Sequence, residues 1–132
     1  MGLDNGIEIK RTDFTSSIPW IKAFEYNWDK EGKYDFEVCY WRKCWNVRGM
    51  IFNVINHQSD NDYQVELSTE DLRAIKEGLQ KYNKRTWDES ESIWTWEEQK
   101  PHIKRQICNL KKLIKLKEKH GNLIEVYFYD SY

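Results

Sequence analysis

The side chains capable of chemistry are scattered along this chain. Its three histidines, His57, His102 and His120, lie far apart, and the three cysteines, Cys39, Cys44 and Cys108, share no ligand spacing with them or with each other. A structural zinc site draws its donors from short paired motifs, so no metal is expected. Asp60-Asn61-Asp62 is similar to the start of a calcium loop, but the turn glycine and the closing bidentate glutamate are missing, and a solvated turn is the expectation. Cys39 and Cys44 fall in the most apolar stretch, where burial raises a thiol's pKa and blunts it as a nucleophile. There is no Gly-x-Ser-x-Gly turn and no glycine-rich phosphate loop. The neighbouring acids Asp88 and Glu89 read as solvated surface rather than as an acid–base pair. No catalytic residue and no cofactor is therefore expected, and the chain reads as a non-enzyme.

Three sets of residues could bind instead. Lys104, Arg105, Lys111, Lys112 and Lys115 form a basic run that could track a phosphate backbone. Trp87, Trp94 and Trp96 lie in an acidic stretch just upstream. They could stack bases, anchor a protein interface, or fold down as lids over the core. The acids around them, Asp88, Glu89, Glu91, Glu97 and Glu98, oppose the field of the lysines. Arg42, Lys43 and Arg48 could form an anion site or a structural ion pair with Glu37, Asp4 or another acid, and the structural pairing is favoured.

The elements that must position these groups read as follows. Residues 38–56 carry Trp41, Cys44, Trp45, Ile51, Phe52 and Ile55 at helical spacing. They predict a central helix enclosed on more than one side, with another backbone approaching closely at Gly49. Gly6 to Thr12 alternates and predicts a strand with Ile7 and Ile9 facing in. Thr15 to Pro19 reads as a loop. Trp20 to Trp28 reads as a strand or a short helix, and Asp29 to Gly32 as a turn. Tyr34, Phe36 and Val38 then make a second strand and a hairpin. His57 to Asp62 is a polar loop, and residues 63–67 a strand. Ser68 and Asp71 cap an amphipathic helix over 69–84. Residues 85–98 read as a loop, Pro101 as the first turn of the last helix, and Gly121 as its stop. Leu123 to Tyr129 predicts a final strand beside Ile7 and Ile9.

Three short elements, Met1-Gly2-Leu3-Asp4, Tyr40-Trp41-Arg42-Lys43 and the ending Tyr127-Phe128-Tyr129-Asp130-Ser131-Tyr132, occur in order. Together they make the chain resemble a family of small phage and prophage proteins with no assigned biochemical function. The resemblance departs where the family often has Met-Tyr and this chain has Asn5-Gly6. It departs again where the family often has a histidine and this chain has Arg48. It implies a phage accessory product and no catalytic residues.

At 132 residues the chain suits one domain. A net charge of −1 with 33% charged residues is neither a polybasic tail nor an acidic nucleic-acid mimic. The odd number of cysteines argues for free thiols in a reducing cytoplasm, and the resemblance implies that of an infected or lysogenic bacterial host. No signal peptide, membrane span or myristoylation motif is read, since Gly6 stands where Ser or Thr is needed. The expectation is an α+β domain with an antiparallel sheet of four to five strands and three helices. Its expected role is to occupy a host protein or ribonucleoprotein, for example as an inhibitor of antiviral defence of the anti-CRISPR kind. Nucleic-acid binding by the lysine helix and the loop tryptophans is the alternative, and an enzyme whose site is unreadable from sequence is a third.

Overall fold

The computed structural model describes residues 4–25, 31–55 and 63–131. Strands β1 (Asp4–Ile9), β2 (Phe36–Arg42), β3 (Tyr63–Glu66) and β4 (Val126–Ser131) form an antiparallel sheet in the order β2-β1-β4-β3. Three longer helices, α3 (Trp45–Val54), α4 (Thr69–Gln80) and α5 (Trp96–His120), accompany two one-turn helices, α1 (Asp13–Ser16) and α2 (Pro19–Lys22). The class is the expected α+β. The first and last strands pair in the centre of the sheet, with Ile7 opposite Phe128 and Ile9 opposite Val126.

The stretch read as one helix over 38–56 is two elements. Phe36 to Arg42 is strand, and the helix begins only at Trp45. Lys43 separates them with a left-handed φ of 49°. The misleading helical spacing has a physical source. Ile7 pairs with Cys39 but Glu8 pairs with Glu37, leaving Val38 as an extra residue in β2. This bulge switches the parity of the strand, so Phe36 and then Cys39 and Trp41 all reach the core. Burial over residues 36–41 therefore fits neither period. Trp41, Ile51 and Phe52 are buried as expected, the first from a strand and the others from a helix. Nothing approaches Gly49 within 4 Å of an added Cβ. The close contact is at Gly78 of α4, against Met50.

Other boundaries move as well. The expected loop at Thr15 contains α1, capped by a reciprocal Thr12–Thr15 box. The segment from Trp20 begins as helix α2, with Pro19 at its first turn, and β2 pairs with β1 rather than with a hairpin partner. Residues 26–30 lie outside the described residues, as does the whole of the expected loop over 57–62. The expected helix over 69–84 ends at Gln80. The last helix starts at Trp96, not near Pro101, because Thr95 and Glu98 form a capping box. Gly121 ends it with φ 59°. The final strand is shifted to Val126–Ser131.

The inner residues of α3, α4 and α5 share one core cluster with Ile7, Ile9, Phe36, Val126 and Phe128 of the sheet. Phe52 meets Phe128 edge-on at 5.4 Å. Asn109 and His102 of α5 reach the main-chain oxygens of Val38 and Tyr40 at 2.9 and 2.8 Å, tying α5 to the edge strand β2 and occupying acceptors that an unpaired edge would leave open.

Candidate functional site

Four regions could carry function. The first is a buried polar row across the core face of the sheet, where Asn5 stands between Asp130 and Trp41 in register. All three are buried. Arg48 of α3 grips Asp130 with two bonds, Nε to Oδ1 at 2.8 Å and Nη2 to Oδ2 at 2.9 Å. Its guanidinium lies 5.1 Å from the Phe52 ring centre and 5.7 Å from that of Trp45. The Asp130 side chain has no exposure and that of Arg48 has 13%, so this is a structural pair. Asn5, next to Asp130 in register, has both side-chain polar atoms buried without a hydrogen-bond partner among the described residues.

The second region is the outer face of α5. Lys100, Lys104, Arg105, Lys111, Lys112 and Lys115 are all exposed. At 3.6 residues per turn they fall within roughly 140° of arc and span about 22 Å. No acid interrupts residues 99–117. Two of the flanking acids have other partners: Glu97 faces Lys84 at 4.0 Å and Glu118 faces Arg73 at 3.0 Å. Glu98 lies about 20 Å along the helix from Lys111, well beyond a Debye length of about 8 Å. The upstream acids therefore do not cancel the C-terminal half of this face. Lys112 sits 5.6 Å above the Trp20 ring, which in turn meets Phe24 edge-on at 5.0 Å. The aromatic group beside the lysines is thus Trp20.

The three tryptophans singled out from the sequence separate. Trp87 is buried, donates its indole N–H to the Trp94 main-chain oxygen at 3.0 Å, and packs on Tyr82 and Trp96. Trp96 is partly buried against the core. Trp94 alone is exposed, at 39%. It lines the third region, a cavity of about 260 Å³ with Tyr40, Trp41, Arg42, Glu98, Gln99 and His102. A bridge between Cys44 and Ser92 holds this loop against the end of β2. The Arg42 side chain has no hydrogen bond or ion pair among the described residues, and Lys43, with its left-handed φ, joins β2 to α3. The sequence signal for this cavity was the Thr95-x-x-Glu98 cap, which puts Glu98 and Gln99 one turn before His102.

The fourth region is the sheet face turned away from the helices. By register it carries Asp4, Glu8, Glu37, Tyr40, Tyr127 and Tyr129. Tyr129 donates to Glu37 and Tyr40 donates to Asp4 at 2.6 Å. Partial burial and that bond push the Tyr40 phenol up to about 12. Burial, with Asp35 and Glu37 nearby, lifts Glu8 to about 7. Burial also raises the thiols of Cys39 and Cys44, leaving them poor nucleophiles; Cys108 is exposed. Among the described residues no group of three or more metal-binding side chains converges, and the Asp60–Asp62 segment and His57 lie outside them. No described helix is long and apolar enough to cross a membrane. Comparison with protein-family models, curated proteins and solved structures finds no match for this chain.

Proposed function

We propose that this is a non-catalytic binding protein whose partner presents a phosphate backbone, either single-stranded nucleic acid or the RNA of a host ribonucleoprotein, and that the outer face of α5 meets it. One observation carries the reading: six exposed cations share one helix face with no acid among them and no ion pair on any of them among the described residues. Neutralising a phosphate releases condensed counterions, so such a face binds by a salt-dependent, sequence-tolerant route. Joined to the resemblance, this suggests a phage product that occupies a host ribonucleoprotein, such as one serving antiviral defence. Exposed Tyr40 and Trp94 at the cavity, with Trp45 and Ile93 also exposed, favour a second reading, a host protein docked on aromatic anchors.

The test is fluorescence anisotropy with a short mixed-sequence single-stranded RNA, titrated from about 50 to 200 mM salt. Affinity should fall steeply with salt. Changing Lys111, Lys112 and Lys115 together to Gln should flatten the log–log slope by about 2, at roughly 0.7 per phosphate contact. Absence of binding at low salt, or an unchanged slope in the triple variant, overturns the reading. A host protein captured equally well after nuclease treatment, and by the triple variant, would support the second reading instead.

A further inference from the structure

We infer that the cavity between β2 and the first turns of α5 is a nucleobase pocket, which takes one unstacked base from a single strand whose phosphates run along α5. The inference rests on the phosphate-binding reading of α5 and adds what the strand is read by. One exposed ring, Trp94 at 39%, lines the cavity, and planar bases stack on such a ring regardless of sequence; Tyr40 borders the cavity from the outer sheet face, its hydroxyl held by Asp4 at 2.6 Å. Trp41 lines it too, and its indole nitrogen is buried without a hydrogen-bond partner. The volume, about 260 Å³, is below the roughly 300–1,000 Å³ of pockets for larger ligands. It suits a single ring system rather than an entire nucleotide.

Charge decides between the two usual guests of an aromatic pocket. A methylated ammonium would be drawn to the rings, but the Arg42 guanidinium at the cavity repels a second cation. The carboxylate present, Glu98, already accepts the Thr95 N–H at 3.0 Å. An uncharged base with a phosphate beside Arg42 fits this balance. Glu98 and Gln99 supply the acceptor and amide groups that read base edges in single strands. The pocket also joins the cationic face directly. The Arg105 guanidinium reaches His102 Nδ1 at 3.4 Å, while His102 Nε2 is held by the Tyr40 main-chain oxygen at 2.8 Å. A strand on Lys104 and Arg105 therefore passes the cavity mouth.

The experiment compares wild type, Trp94→Ala, Trp94→Phe and Arg42→Gln on single-stranded RNA carrying 2-aminopurine and on a duplex of the same sequence. Circular dichroism melts check that each variant folds. Trp94→Ala should weaken single-strand binding roughly 5- to 100-fold, leave duplex affinity and the salt slope unchanged, and abolish the quenching of 2-aminopurine seen with wild type. Trp94→Phe should restore most of both, and Arg42→Gln should weaken single-strand binding several-fold with a smaller salt slope. Wild-type single-strand affinity in Trp94→Ala, or in Arg42→Gln should the alanine variant not fold, overturns the pocket while leaving α5 standing. Equal losses on single strand and duplex overturn it too. Failure of wild type to bind any nucleic acid at low salt would instead remove the α5 reading on which the pocket depends.

Discussion

Asp130 is fully enclosed and Arg48, 82 residues earlier, makes two short contacts with it. A buried pair of this kind is worth little against an apolar replacement, yet breaking it strands a charge at a cost of about 3–5 kcal/mol. Arg48→Met should therefore lower stability by about that amount in urea unfolding, and adding Asp130→Leu should recover at least half of the loss. No recovery in the double variant would show that the pair is needed for more than mutual neutralisation. Glu8 behaves oppositely. Its folded pKa is raised to about 7 from an ordinary 4.5, by burial first and then by Asp35 and Glu37. The native state thus holds a proton that the unfolded chain has released, and stability falls as pH rises through that window. Glu8→Gln should melt higher than wild type at pH values above 7 and indistinguishably at pH values below 4.5, read by thermal melts across that range. That Arg48 takes part in an ion pair was a reading open to the sequence; its partner was not, because nothing local joins residues so far apart.

Among the elements, two glycines make the sharpest contrast. A Cβ on Gly6 would stand 2.4 Å from the Cys39 main-chain oxygen and 2.8 Å from the Tyr129 ring. The backbone cannot yield cheaply there, and overpacking of this sort costs typically about 1–3 kcal/mol or more. Gly49, inside α3, has open space around it, and relative to Ala it costs the helix about 1 kcal/mol. Gly6→Ala should destabilise strongly and Gly49→Ala should stabilise by roughly 0.5–1 kcal/mol; thermal melts of the two variants check both signs. The helices were legible where caps were read: Ser68 with Asp71 marks α4 and Gly121 ends α5. The start of α5 is encoded in Thr95 and Glu98, whereas Pro101, which also suits a first turn, lies inside the helix. The strand β2 was not legible, since its bulge mixes both parities into the core.

For the whole molecule, the order β2-β1-β4-β3 makes the two terminal strands the centre of the sheet. Within the described sheet β3 pairs with β4 alone. Removing residues from Val126 onward should therefore abolish cooperative unfolding altogether rather than trim an edge, which a flat thermal denaturation curve would reveal and a retained sigmoidal transition would refute. Charge is likewise arranged at this scale. A net charge of −1 conceals a helix face of six exposed cations and a sheet face rich in carboxylates and tyrosines. The amino-acid order alone determined the α+β class, the pairing of first and last strands, the start of α4, the end of α5 and the basic character of α5, because each follows from local periodicity and capping. Only the tertiary structure decided that Trp87 is core, that Trp20 is the ring beside Lys112, that Arg48 belongs to Asp130, and that Tyr40, Arg42 and Trp94 share one cavity. Those outcomes depend on which distant surfaces exclude water from each other, and no window along the chain contains that information.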